Sequence, residues 1–199
     1  MSPSALQFPA TARNREPILA VLQQHMAPPT ASVIEIASGS GEHALYFAAN
    51  LPHLRWQPTD AEAAHVDSVE AWRQLEGTPN LLPARQLDVR QRDWGLEPAD
   101  AMFVANMFHI SPWECTVAFF VGAARLVRPG GLVLSYGPYK IDGAHTAPSN
   151  ESFDASLRAR DPSWGVRDTG EIAAIAKDFV LEGRIAMPAN NFTLMWRRG

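Results

Sequence analysis

The sequence predicts an α/β protein: a seven-stranded, mostly parallel sheet with an antiparallel last strand and helices on both faces. Three observations carry that reading. Short apolar runs alternate with helix-length segments through the first two thirds of the chain, the pattern of a parallel sheet covered on both sides. Several of those runs end on a small or polar residue, Ala37, Asp60, Asp88 and Asn106, which would place them along one edge of the sheet. The chain then closes with two strands, residues 180–187 and 192–197, around the turn-rich link Pro188-Ala189-Asn190-Asn191, and that pair adds one antiparallel member.

Each element has its own signal. Residues 1–12, with Pro3 and Pro9, read as an extended arm. Asn14 is a helix-capping residue type, and a helix is predicted from Arg15 to about Met26, with Pro17 tolerated in its first turn. Pro28-Pro29 closes that segment. Strand one is 33–37, followed by a small-residue loop and a helix over 41–50. Strand two, 54–59, ends at Asp60, and a helix follows over 63–75. A short third strand, 84–87, ends at Asp88-Val89, and a fourth, 101–105, ends at Asn106. A helix over 113–127 leads through the tight turn Arg128-Pro129-Gly130-Gly131 to strand five, 132–136. Residues 137–150 read as a polar loop, and helices are expected at 151–160 and 169–178 before the closing pair. With no internal repeat and no low-complexity linker, residues 1–199 read as one domain, with 1–14 as an N-terminal arm positioned to cover a site.

Composition narrows the partners. The 199 residues are 46% hydrophobic and 19% charged, as in a soluble globular protein. The net charge is −4, with only two lysines, Lys140 and Lys177, and no basic run. A nucleic acid would need a basic footprint, so no nucleic-acid partner is expected. Cys115 is the single cysteine and lies in an apolar, helix-like stretch, which fits a buried thiol and rules out an internal disulfide. The start has no basic-then-apolar leader pattern. The longest apolar stretch, 117–127, is too short to cross a bilayer and carries Arg125. A cytoplasmic protein with no membrane partner is the expectation.

The segment Val33-Ile34-Glu35-Ile36-Ala37-Ser38-Gly39-Ser40-Gly41 is the most informative. A buried strand, a glycine loop and a helix N-terminus make a site for the polar part of a nucleoside ligand. The spacing Gly39-x-Gly41-x-x-Ala44 fits a dinucleotide fingerprint, and Asp60, 19 positions beyond Gly41, falls near its ribose-binding carboxylate. Glu35 argues the other way. At the strand end it would repel a pyrophosphate, but it suits a ligand with a cationic amino group, such as S-adenosylmethionine (SAM). The ending argues the same way, because too little chain follows strand five for the substrate domain that a dinucleotide enzyme normally needs.

Glu35, Gly39, Gly41, Asp60, Asp88-Val89 and the Pro129-Gly130-Gly131 turn together resemble a class I SAM-dependent methyltransferase, from about residue 30 to the end of the chain. Four segments resemble more narrowly the methyltransferase-like 26 family, a bacterial and eukaryotic group long catalogued as a domain of unknown function. They are Ala12-Arg13-Asn14-Arg15-Glu16-Pro17-Ile18, Ile36-Ala37-Ser38-Gly39-Ser40-Gly41-Glu42-His43, Asn106-Met107-Phe108-His109-Ile110-Ser111-Pro112-Trp113 and Pro148-Ser149-Asn150-Glu151-Ser152-Phe153-Asp154. The resemblance implies a Rossmann-like fold with SAM as cofactor. It further implies that the loop from Ala37 to Gly41 lines the methionine part, with Glu35 among the cofactor-binding residues. Asp60 would accept hydrogen bonds from the ribose hydroxyls, Asp88 from the adenine amino group, and Val89 would pack near the ring. Asn106 would sit beside the methionine part. One departure is Ala37, where a glycine is commonest in the superfamily.

The expected chemistry is in-line methyl transfer to a small-molecule acceptor, which needs chiefly alignment. His109, three residues past Asn106, is the candidate general base, since an ordinary imidazole titrates near neutrality; a histidine that only bonds loop backbone is the alternative. Arg13, Asn14, Phe108, Trp113, Tyr139, His145 and Asn150 are the candidate acceptor-side residues, with Tyr136, Phe153 and Trp164 on or near the same edge. The six histidines are scattered, so no metal is expected. No Asn-Pro-Pro-Tyr motif follows strand four, so the familiar pattern for base or glutamine amide nitrogen methylation is absent, and whether oxygen, nitrogen or sulfur is methylated is not readable. A nicotinamide-dependent oxidoreductase and a non-catalytic SAM-binding protein remain the alternatives, and oligomeric state is not readable.

Overall fold

Strand residues that send alternate side chains into two separate cores organise this protein, whose computed structural model describes residues 5–199. The first helix, α1 (Pro9–His25), begins six residues before the expected Arg15, because Pro9 already satisfies the first turn. Asn14 therefore lies inside α1 rather than capping it, and the N-cap is Phe8. Of the expected extended arm, 5–8 have no regular secondary structure, with Phe8 extended, 9–12 are helical, and 1–4 fall outside the described residues.

Strands and helices then alternate: β1 (Ser32–Ile36), α2 (Glu42–Asn50), β2 (Arg55–Asp60), α3 (Ala63–Glu76), β3 (Arg85–Gln86) and β4 (Ala99–Ala105). After a short 3-10 turn, Met107–His109, come α4 (Trp113–Leu126) and β5 (Val127–Gly137). The expected turn before the fifth strand lies within β5. Ala99 faces Val127 while Ala101 faces Leu132, so residues 128–131 bulge out between two paired stretches. Residues expected as one polar loop form β6 (Tyr139–Ile141) and β7 (Ala144–His145), and α5 (Pro148–Arg160) begins three residues before the expected 151. With β8 (Arg167–Asp168), the two short strands make a small sheet in the order β7-β6-β8. Strands this short carry no readable periodicity. Next comes α6 (Thr169–Ile175), capped by the Asp168 carboxylate and three residues shorter than expected. The chain ends in β9 (Phe179–Met187), the turn Pro188–Asn190 and β10 (Asn191–Arg198).

The main sheet has the order β3-β2-β1-β4-β5-β10-β9, and β10 is antiparallel to both its neighbours while the other strands run parallel. This is the sheet the sequence predicts. Along β4, Ala101 and Phe103 face the core under α1 and α2, while Met102 and Val104 face the core under α4 and α6. Along β5, Leu132, Leu134 and Tyr136 take the first side and Val133 the second. A sheet covered on both faces needs apolar residues at both phases, which is why these strands read as unbroken apolar runs. The largest fully buried side chains, Trp56 and Trp196, have their indole N–H satisfied by Glu35 Oε2 at 2.7 Å and Ser135 Oγ at 3.1 Å. Among the described residues no helix is long and apolar enough to cross a membrane. Cys115 is buried on α4, as expected.

Candidate active site

The carboxyl ends of β1, β2, β4 and β5 meet at one edge of the sheet, and β10, running the other way, begins there. A cleft of about 950 Å³ opens along this edge. Its walls are the loop after β1 (Ala37, Ser38, Gly39, Ser40), the end of β2 and the start of α3 (Asp60, Glu62, His65), and the end of β4 (Ala105, Asn106, Met107, His109, Ile110). Tyr136 and Pro138 add the end of β5, and Pro188, Ala189, Asn190 and Asn191 add the β9–β10 turn. Phe8, Thr11, Arg13 and Asn14 close it from the α1 side, and Ser149, Asn150 and Phe153 from α5.

The loop after β1 is held by its glycines and by Asp60. Gly41 has φ 88°, and a Cβ there would stand 2.8 Å from the Val69 Cα of α3, so only glycine lets the two backbones approach. Gly41 thus packs behind the cleft and does not line it. Ala37, also at positive φ (57°), does line it, which explains why glycine would be the easier residue there. Asp60 is buried yet borders the cleft. Its Oδ2 accepts from Gly39 N at 2.8 Å, and its Oδ1 accepts from Glu62 N at 2.9 Å and lies 3.1 Å from His65 Nδ1. A carboxylate offers about four lone-pair directions, so acceptor capacity is left for a ligand.

Glu35 points the other way from the cleft, into the core beneath α1 and α2. Burial pushes its carboxyl up to about 7, with the Asp60 charge adding to the rise and bonds from Trp56 and Ser38 opposing it. The expectation of a fixed anion facing a ligand's amino group is therefore corrected: Glu35 supports the sheet from behind.

At the β4 end, Asn106 takes φ 64° and donates its backbone N–H to Tyr136 O at 2.8 Å. The turn beyond it carries His109, and Arg167 fastens that turn by donating to Phe108 O at 2.9 Å and Ser111 O at 2.7 Å. Gly137 makes room for the imidazole: a Cβ there would lie 3.3 Å from His109 Nδ1. The Phe153 ring meets His109 edge-on at 5.5 Å. Burial, and then the charge of Arg167, lower the imidazole to about 3. The structure brings His109 to the cleft but as a neutral group, not as one titrating near neutrality.

Helix α1 supplies the far wall. The amide oxygen of Asn14 accepts from His43 Nε2 at 2.8 Å. An amide oxygen cannot donate, so the neutral imidazole carries its proton on Nε2. His43 stays neutral because burial, with the Arg15 charge, lowers it to about 4. Burial raises the Tyr136 phenol, opposed by the Asn14 amide and the Arg13 charge, so these three groups meet in one corner.

Other expected residues lie elsewhere. Asp88 pairs with Arg90 at 2.6 Å, and that bond holds its carboxyl below the usual range. Val89 and Trp113 line a separate hollow of about 470 Å³ beside α4. Phe108 and Tyr139 are core residues, because each turns toward the α4 side of the sheet. His145 faces Asp154 at 3.3 Å, together with Lys140 at 3.2 Å. Asn150 does reach the cleft wall and donates to Asn190 O at 2.9 Å, tying α5 to the hairpin turn.

A family model described as "Protein of unknown function (DUF938)" matches residues 6–198. The chain belongs to the DUF938 family. Its fold recurs in solved structures of low sequence identity. An O-methyltransferase family protein from Burkholderia thailandensis superposes with a TM-score of 0.80 at 18% identity, over 96% of this chain and 57% of that one. Mitomycin 7-O-methyltransferase gives 0.81 at 15%, over 96% and 54%. Human N-acetylserotonin methyltransferase, solved in complex with SAM, gives 0.75 at 14%, over 96% and 53%. The DUF938 chain thus spans little more than half the length of these proteins, and the likeness shows their α/β fold.

Sequence reasoning about this DUF938 protein missed Phe8, His65 and the hairpin turn as cleft residues. The turn had a usable signal: a last strand antiparallel to strand five must begin where strand five ends. Phe8 and His65 had none, since their meeting at 5.7 Å depends on how α1 and α3 pack.

Proposed function

We propose that this DUF938 protein is a SAM-dependent methyltransferase acting on a small-molecule acceptor. The observation that carries the reading is Asp60, a buried carboxylate with spare acceptor capacity at the end of β2, bordering the same cleft as the positive-φ loop at Ala37 and Gly39. That arrangement fits a ribose diol with an amino-acid arm beside it. The likeness of four segments to the methyltransferase-like 26 family belongs to the same reading, as does the fold shared with O-methyltransferases.

Bound SAM would supply an electrophilic methyl group. Asp60 would hold the ribose, and Ala37, Gly39 and Asn106 would border the methionine part. Gly41 and Glu35 keep the loop in place from behind. The acceptor would lie between Arg13, Asn14, His109 and Asn150. At about 950 Å³ the cleft is at the upper end of small-molecule sites, roughly 300–1,000 Å³, which leaves space for two ligands side by side. His109, held neutral, is a weak base and acts by orienting the acceptor through a hydrogen bond. The acceptor atom therefore arrives without a proton to lose, or releases it to water. Phe8, against Gly39, would cover the cofactor end.

Calorimetric titration with S-adenosylhomocysteine, with NAD and NADP as controls, tests the reading. Binding of the homocysteine product alone, weakened at least tenfold in Asp60→Asn, is expected. Binding of a nicotinamide nucleotide alone, or of none of the three, overturns it.

A further inference from the structure

We infer that the acceptor is a small carboxylate on a flat apolar body, its carboxylate held by Arg13, Asn14 and Tyr136. This rests on the methyl-transfer reading of the cleft and adds the chemical class of the acceptor.

Three donors meet at this corner. Arg13 lines the cleft and has no hydrogen-bond or ion-pair partner among the described residues. Asn14 has its amide oxygen occupied by His43 and its N–H₂ group turned toward the Tyr136 hydroxyl, which leaves its second N–H for the cleft. Tyr136 lines the same cleft, and its hydroxyl is within reach of the Asn14 amide and feels the Arg13 charge. No acidic side chain of the cleft wall balances this cation locally. The two that line the cleft, Asp60 and Glu62, are at the end of β2. In the sheet order, β2 and β5 are three strand spacings apart, about 14 Å at ~4.8 Å each. A planar guanidinium flanked by an amide and a phenol suits a carboxylate in bidentate geometry. The adjoining wall is apolar: Ile110, Pro138, Phe153 and Pro188.

SAM has a carboxylate of its own, on its amino-acid arm. A ribose at Asp60 directs that arm across the ends of β1 and β4, where Gly39, Ala37 and Asn106 lie. Tyr136 stands on β5, one strand further, which favours the acceptor as the source.

The test uses the full chain saturated with S-adenosylhomocysteine, titrated with 4-hydroxybenzoate and 4-hydroxycinnamate and with the primary amide of each. At least one acid is expected to bind ten times tighter than its amide, and Arg13→Gln should abolish that preference while changing homocysteine-product affinity less than twofold. Equal binding of acids and amides, no binding of either acid, or an unchanged preference in Arg13→Gln overturns the inference. So does a tenfold loss of homocysteine-product affinity in Arg13→Gln with binding of 5′-methylthioadenosine, which lacks the carboxylate, unchanged; that result assigns Arg13 to the cofactor. Failure of the wild-type chain to bind the homocysteine product is a different result, which sinks the methyl-transfer reading itself.

Discussion

His43 donates its Nε2 proton to the amide oxygen of Asn14 at 2.8 Å, a buried bond that pins α1 across the first turn of α2. The bond joins the wall that carries Arg13 to the loop that carries Gly39, so one polar contact positions both ends of the cleft. In Asn14→Ala the imidazole N–H is left buried without a partner, a cost of about 1–3 kcal/mol. Urea unfolding should show that loss, and an unchanged midpoint would mean that water replaces the amide.

Glu35 makes stability depend on pH in an unusual direction. Its folded carboxyl is raised from 4.5 to about 7, so between those values the native state keeps a proton that the unfolded chain has released. The stabilisation is complete below about pH 4.5 and is lost as pH rises through 7. At about 1.4 kcal/mol per pH unit, the loss amounts to about 3 kcal/mol. Glu35→Gln keeps an acceptor for the Trp56 N–H and removes the titration. Denaturation of both proteins from pH 5 to pH 8 should show the variant gaining on the wild type by roughly that amount. A constant difference would refute a titrating Glu35.

Gly122 on α4 lies directly under the Trp94 indole, which occupies the space a Cβ would take. The indole is itself buried and donates to Val89 O at 3.2 Å, so it has little freedom to withdraw. Gly122→Ala should therefore destabilise the fold by about 1–3 kcal/mol despite its better helix propensity. Thermal melting checks it, and a raised melting temperature would show that the indole moves easily.

Phe8 stands over the Gly39 end of the cleft, where the proposed cofactor would lie. A Cβ on Gly39 would lie 3.2 Å from its ring, and His65 meets that ring edge-on. The ring is 38% exposed, so its loss should cost the fold little. Phe8→Ala is expected to weaken S-adenosylhomocysteine five- to tenfold and to leave the urea midpoint within experimental scatter. Unaltered affinity would remove Phe8 from ligand binding.

Much of the fold was legible because its signals are local. The runs at β1, β4 and β5 are apolar at both phases, and Asp60 and Asn106 end their strands where a break in the pattern says they should. Ala37, Gly39, Asp60, Asn106, Arg13, Asn14, His109 and Asn150 all reach the cleft. The unread parts have non-local causes. Strands β6, β7 and β8 are two or three residues long and exist only through pairing with one another. Asn14 looks like a cap in sequence, yet Pro9 starts the helix earlier and places it on a buried face.

The sequence by itself determined the sheet, its one reversed strand and the glycine loop at its edge, because hydrophobic period and turn chemistry act over a few residues. Tertiary structure alone decided what each polar group became. His109 is neutral because Gly137 admits it to a buried position and Arg167 lies near. Asp88 left the expected site for Arg90, and Glu35 turned inward to Trp56. The charge and reach of a side chain depend on neighbours from distant parts of the chain, and only the folded protein brings those together.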